Sequence, residues 1–318
     1  MRRLPLVGVV PTILTLLSSV ACQSSAVSSV PPPAGTLVAT IHQNHAQDIV
    51  SGFGSIWVSN GPSGTVTRID PVTDASVALI NLDDPPSVLA VSPDAVWVTS
   101  FSGVSVTRID PLNNKVVGTV NPGGDGPIGI EFFDGYVWVA NHDGVPRGSV
   151  AKIDPVTMKV VDQIYVGDAA DSGPVWIAAG AGSLWVGVTN IAAVVRIDPL
   201  KDNILSTISD NGVLGEIVAD DHDVWVAGGD GRGVTHIDPA TNLVSRAINE
   251  VGFGVALAVG AGSVWFGTDT TLDRINPTSH KLVSRLKLPG GSNGATVGFG
   301  YVWVTDKNDG LLLKIKPG

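Results

Sequence analysis

The sequence predicts an all-β protein: a seven-bladed β-propeller with four antiparallel strands per blade, its N-terminal strand closing the last blade. Three observations carry this. A tryptophan-centred triplet recurs seven times. A second triplet, mostly Ile-Asp-Pro, follows each one in step. Each interval of about 40 residues holds four short runs rich in β-branched and aromatic residues, separated by Gly, Asp, Asn and Pro.

The tryptophan triplets are Ile56-Trp57-Val58, Val96-Trp97-Val98, Val137-Trp138-Val139, Leu184-Trp185-Val186, Val224-Trp225-Val226, Val264-Trp265-Phe266 and Val302-Trp303-Val304, with tryptophan spacings of 40, 41, 47, 40, 40 and 38. The second series is Ile69-Asp70-Pro71, Ile109-Asp110-Pro111, Ile153-Asp154-Pro155, Ile197-Asp198-Pro199, Ile237-Asp238-Pro239, Ile275-Asn276-Pro277 and Ile315-Lys316-Pro317. In the second unit the four runs are Ser87 to Ser92, Ala95 to Thr99, Val104 to Ile109 and Lys115 to Val120. No segment keeps a helical period. Four strands per repeat is blade geometry, and seven copies exclude a sandwich. Each signature tryptophan, flanked by apolar residues, is expected to pack between blades. Each Asp-Pro pair is expected to open a turn, Asp accepting backbone N–H groups and Pro fixing φ. The basic residues before most of these pairs (Arg68, Arg108, Lys152, Arg196, Arg274, Lys314) are read as structural.

The two ends predict how the ring closes. The last unit stops after its third strand, at Lys316-Pro317-Gly318. The first unit is preceded by Thr36-Leu37-Val38-Ala39-Thr40-Ile41, which has the character of a fourth strand. Pairing this segment with the last unit removes an exposed sheet edge.

The residues before the repeats read as export and tether. Arg2 and Arg3 precede an apolar stretch from Leu4 to Leu17, too short to span a membrane. Ser19-Val20-Ala21-Cys22 resembles a bacterial lipobox, with Ser19 where Leu is usual; cleavage after Ala21 by an ordinary signal peptidase is the alternative. Cys22 is the only cysteine. A lone exported thiol has no disulfide partner, and lipidation accounts for it. Several acyl chains at about 0.8 kcal/mol per buried CH₂ anchor a protein stably. The expected organisation is a signal peptide over 1–21, a lipid-anchored flexible tether over 22–35 and the propeller over 36–318. The expected location is the outer face of a bacterial cell membrane, with secretion as the alternative. The net charge is -10, and loss of residues 1–21 removes two arginines and no acids. Such a surface argues against nucleic acid as a partner. A small molecule, a peptide or a cell-envelope protein remains, with the membrane reached through the lipid.

The repeat residues resemble YVTN-type propeller repeats and, more loosely, the streptogramin (virginiamycin B) lyase family, over Thr36 to Gly318. The resemblance implies the fold; family members include enzymes and sensors. It also implies, for a lyase, a histidine pair and a glutamate holding magnesium on one face of the ring. After the Trp-Val pairs, only His142 matches one of those histidines, and no glutamate accompanies it. The leading expectation is therefore a binding or sensing module without a complete catalytic set. The alternative is a divalent-cation-dependent lyase or lactonase.

Two places are singled out for a site. The loops joining second to third strands, and fourth strands to the next blade, share one varied, polar face. Two of them are long. Trp to Ile is 12 residues in five blades but 15 in blade 3, and Ile to the next Trp is 28 or 29 elsewhere but 32 from blade 3 to blade 4. The excess falls around His142, Asp143, Arg147, Asp168 and Asp171, which with Trp176 form the candidate ligand site. Second, nine residues before the signature tryptophans stand Asp48, Val88, Gly129, Trp176, Glu216, Ala256 and Gly294, while the residue after each is apolar. Asp48, Trp176 and Glu216 share this varied parity, and Glu131 lies two residues deeper. Carboxylates inside a ring line a water-filled channel or bind a cation or basic ligand; oxygen donors favour Ca²⁺ or Mg²⁺ over zinc. His42 and His45 sit in the loop leading into blade 1, and His222 and His280 fall on the turn face, where they are read as solvated. No Gly-x-Ser-x-Gly, Walker, HExxH or Cys-x-x-Cys motif is present.

Overall fold

The computed structural model of the 318-residue chain describes residues 35–143, 148–167, 173–209, 214–228, 233–248, 251–306 and 308–318. The segment 1–21, Cys22 and the tether up to residue 34 lie outside the described residues.

Seven four-stranded antiparallel sheets form. In six of them strand order follows chain order from the ring axis outward. Blade 1, for example, runs Ala46–Gly52, Ser55–Asn60, Thr65–Ile69, Ser76–Asn81. The seventh is composite: Ser292–Gly298, Tyr301–Asp306 and Leu311–Pro317 are completed by Gly35–His42. That first strand pairs from Gly35↔Pro317 to His42↔Leu311, with one bulge between Leu37 and Ala39. The N-terminal strand therefore closes the ring, as the two ends of the sequence predict.

The tryptophan column builds the core. All seven signature side chains are essentially inaccessible. Trp57 packs with Leu89, Val96, Val98 and Ile109 of blade 2. Trp303 packs with Ile49, Ile56, Val58 and Ile69 of blade 1, so the closing seam has the same core as the others. Burying about 200 Å² of indole at about 25 cal/mol/Å² gives an upper bound near 5 kcal/mol per tryptophan. The apolar column before each triplet is core too: Ile49, Leu89, Ile130, Ile177, Ile217, Leu257 and Ala295 are all buried.

The Asp-Pro turns form as expected. Asp70 Oδ1 accepts the Val72 and Thr73 N–H groups at 2.8 and 3.0 Å. Four residues after each Asp or Asn, the chain enters the left-handed region: Asp74, Asn114, Met158, Asp202, Asn242 and His280 have φ between 52° and 60°. Asp, Asn and His tolerate this conformation best among non-glycine residues.

The basic residues before these turns clamp one blade to the next. Arg68 lies over Trp57 at 5.0 Å and donates to Ser55 Oγ, then to Pro111 O and Asn114 Oδ1 of blade 2. Arg196 repeats the arrangement with Trp185, Ser183, Pro239 and Asn242. Lys152 and Lys314 make an ammonium version. Lys314 sits over Tyr301 and Trp303 and donates to Pro71 O and Asp74, tying blade 7 to blade 1. Lys314→Met is expected to cost about 1–3 kcal/mol, because two charge-assisted hydrogen bonds and a cation–π contact are lost across the seam. The urea midpoint measures it; an unchanged midpoint would show the clamp to be ornamental.

One strand departs from its predicted bounds by more than a residue at an end. The inner strand of blade 2 is regular only over Leu89–Val91 rather than Ser87 to Ser92. Pro85 and Pro86 lack N–H groups for the ladder. Ser87 and Val88 pair irregularly with Thr99, through Ser87 N–H to Thr99 O and Thr99 N–H to Val88 O. The other six inner strands also shift register near their starts, between Ala46/Ile49, Pro127/Ile130, Pro174/Trp176, Leu214/Ile217, Gly254/Ala256 and Ser292/Ala295.

Candidate functional site

Those bulges position the site. A bulge sets two residues against one on the neighbouring strand and re-aims a side chain. Asp48 falls in the irregular stretch between the Ala46 and Ile49 pairings, and Glu216 in that between Leu214 and Ile217. Trp176 stands where the blade 4 pairing shifts. All three side chains, with Glu131 below them, line a channel of about 280 Å³ along the ring axis. Its walls also include the apolar residues Ile177, Leu257 and Val297.

Each carboxylate also ties two blades together. Asp48 Oδ2 accepts the Leu89 N–H of blade 2 at 2.7 Å. Glu216 Oε2 accepts the Leu257 N–H of blade 6 at 2.7 Å. Glu131 Oε1 accepts its neighbour's N–H, from Phe132, at 3.0 Å, and the Ala179 N–H of blade 4 also stabilises its charge. Blades 1, 3 and 5 thus each send a carboxylate to the next blade. The burial that surrounds them dominates their chemistry. It pushes the Asp48 carboxyl up to about 6 and Glu131 up to about 7, against the smaller opposing effect of the N–H donors. Glu216 is held well above the ordinary carboxylate range, first by burial and then by the charge of Asp48. Near neutral pH the channel therefore shares protons among three acids.

Above the channel, on the side of the varied loops, it opens into a mouth of about 660 Å³. Asp48, Val88 and Trp176 line both spaces. The mouth adds His45, Pro62, Phe101, Ile128, Val255 and Asn293. Trp176 is the one tryptophan outside the repeated triplets, and Phe101 is exposed beside the ring of His142, centroids 6.4 Å apart. His45, at φ 62°, lies 3.4 Å from Ser63 Oγ.

The residues after the Trp-Val pairs tie blades together as well. Ser59, Thr99 and Thr305 donate to Ser87 O, Ile128 O and Gln47 O of the following blade at 2.7, 2.8 and 3.0 Å. The two long connections leave the same end of blade 3: Asn141 pairs with Ser149, and Ser149 with Tyr165. Of the residues predicted there, His142 is placed near Phe101. Arg147, Asp168 and Asp171 lie outside the described residues, as does the Asp143 side chain.

The turn face differs from expectation at one blade. His280 does not simply face water: it is partly accessible and packs against two other rings. Its ring centroid is 4.4 Å from that of His236 and 5.2 Å from that of Trp225. Burial, followed by the charge of His236, lowers its pKa. His236 stands in the column that elsewhere holds Arg or Lys, and its Nε2 lies 2.6 Å from Asp223 Oδ1. Sequence reading passed over His236 and Asp223; the signal was the break in an otherwise basic column.

No protein family and no curated protein is matched by the sequence. Solved structures are matched through the fold. The hydrazine synthase of Kuenenia stuttgartiensis superposes with a TM-score of 0.76 at 16% identity, covering 87% of this chain and 96% of that one. A streptogramin B lyase superposes with a TM-score of 0.76 at 18% identity, covering 89% and 97%. The chain is a seven-bladed β-propeller with structural similarity to streptogramin B lyase. At such identities the likeness establishes architecture and leaves function to the site. The magnesium set implied by the lyase resemblance does not fit the described residues. Following the Trp-Val pairs, His142 is the lone imidazole among them, and it packs against Phe101.

Proposed function

We propose that the chain is an exported binding module, carried on a lipidated Cys22, whose propeller takes a small organic cation at the channel mouth. The apolar body of the ligand rests on Trp176 and Phe101. Its charged end points into the ring, toward Asp48 and Glu216. The observation that carries this reading is the stacking of an aromatic-lined mouth on a channel holding three carboxyl groups. An aromatic face attracts a cation, and a cation entering the channel offsets the burial that keeps those carboxyls protonated. The YVTN-type repeat supplies the rigid ring, and the tether over 22–35 sets its reach from the membrane.

A second reading rests on the same carboxylates. Their oxygens suit Ca²⁺ or Mg²⁺, which would make the channel a divalent-cation site of a lyase or lactonase. Thermal shift separates the two. With 1,4-diaminobutane, choline, CaCl₂ and MgCl₂ as probes, the binding-module reading expects a Tm rise with an organic cation that Trp176→Ala removes. A rise with the metal ions alone, insensitive to Trp176→Ala and lost in Asp48→Asn/Glu216→Gln, supports the second. No rise with any cation overturns both.

A further inference from the structure

The clamp between neighbouring blades has a regular chemistry on the turn face. Three columns build it: the residue two before the signature tryptophan, the residue before the Ile of the second triplet, and the left-handed turn residue of the next blade. In blades 1 and 4 these are Ser, Arg and Asn, as in Ser183, Arg196 and Asn242. In blades 3 and 7 they are Tyr, Lys and Asp, as in Tyr136, Lys152 and Asp202. Between blades 5 and 6 all three change together, to Asp223, His236 and His280. A cation and its acceptor have been replaced by two imidazoles and a carboxylate.

We propose that Asp223, His236 and His280 form a binding site for a zinc-class divalent metal ion that joins blade 5 to blade 6. One ligand atom from each residue lies within 4.8 Å of the others, so small side-chain rotations bring all three onto one ion at about 2.0–2.2 Å. Two imidazole nitrogens and a carboxylate oxygen suit zinc, leaving a fourth position to water. His236 is buried, while Asp223 and His280 are partly accessible, which gives an ion a way in. His236 is also held from behind: its Nδ1 lies 2.8 Å from Ser245 Oγ. A hydroxyl both donates and accepts. In the tautomer with its proton on Nδ1, the ring would donate a hydrogen bond to Ser245 Oγ and leave the Nε2 lone pair free to hold an ion.

A second observation marks the same place. In the other six blades the signature indole N–H donates to a partner on the inner strand side, from Trp57 to Gly52 O through Trp303 to Gly298 O, at 3.0–3.1 Å. Trp225 is 1% exposed, and its Nε1 has no acceptor among the described residues. The rings of His236 and His280 lie against this indole instead, at 4.8 and 5.2 Å. The local packing has been rebuilt around the two histidines at the cost of a hydrogen bond made in the other six blades.

The test uses the full chain and Zn²⁺ and Co²⁺ themselves. The unmodified chain is expected to retain one equivalent of Zn²⁺ more than the variant Asp223→Ser/His236→Arg/His280→Asn, and to give visible Co²⁺ absorption that the variant lacks. That variant copies the clamp of blade 4, so it should fold and keep its Tm in EDTA. Zinc should raise the Tm of the unmodified chain and leave the variant's unmoved. Ser245→Ala should weaken zinc binding by at least tenfold. Asp48→Asn/Glu216→Gln should leave it intact, so this result is independent of the channel-mouth reading. Equal zinc content in the unmodified chain and the clamp variant, or a cobalt spectrum that survives the triple change, would overturn the proposal.

Discussion

A chain lacking residues 35–42 does not fold to a stable monomer. Its third strand in blade 7, Leu311–Pro317, loses the partner that spans Gly35 to His42. The exposed edge then presents unpaired N–H and C=O groups beside the buried Leu312, Leu313 and Ile315. The strand does more than cover an edge. Closure brings Trp303 against Ile49 and Ile69, and Lys314 against Asp74. Opening the seam weakens a core that holds one of the seven tryptophans, so the loss is comparable with a whole domain margin of about 5–15 kcal/mol. Circular dichroism melting and size-exclusion chromatography read the result. The truncated chain should aggregate or assemble, and a synthetic peptide of residues 35–42 added in trans should restore part of the Tm by strand addition. A cooperative monomeric melt within a few degrees of the intact chain would contradict the seam.

The second large effect is on pH dependence. Asp48 and Glu131 have folded-state values near 6 and 7 against ordinary values of 3.8 and 4.5. Between those limits the folded state binds more protons than the unfolded one. Their stabilising contribution is therefore complete below about pH 4 and falls away as pH rises through about 7. Each shift corresponds to at most about 3 kcal/mol, less to the extent that these partly accessible side chains are screened by solvent. The turn carboxylates act in the opposite sense. Hydrogen bonds from Thr73 and Val72 hold Asp70 below its ordinary value, and Asp110, Asp154 and Asp238 are lowered in the same way. What they add is present above pH 4 and lost below it. Denaturation midpoints should thus peak on the acid side of neutrality and decline toward pH 8. Asp48→Asn/Glu131→Gln/Glu216→Gln should flatten the alkaline decline and leave the acid limb unchanged. A decline of the same slope in that variant would remove the channel acids as its cause.

The ring was legible because each blade repeats the same physical solution. The Trp column, the Asp-Pro turns and the strand-like segment before blade 1 needed only periodicity and turn chemistry to interpret. The channel acids were legible for a related reason. Asp48 and Glu216 interrupt one column of a strand whose other column is uniformly apolar. Two things were hidden. The bulges at the starts of the inner strands leave no composition signal, and they govern where those acids point. The metal-like triad of Asp223, His236 and His280 spans two blades and three columns. His280 read alone is a turn residue facing water. Only the pairing of one blade's cation column with the next blade's turn column, visible in Arg68 with Asn114 and Arg196 with Asn242, shows that His236 and His280 meet.

Calorimetric titration with 1,4-diaminobutane at pH 6.5, in two buffers of different ionisation heat, tests the channel-mouth reading most directly. A single site is expected whose occupation releases protons, as the incoming ammonium drives Asp48 and Glu216 to ionise. Binding and release should both vanish in Asp48→Asn/Glu216→Gln. No heat of binding, or binding without proton release that persists in the double variant, would contradict it.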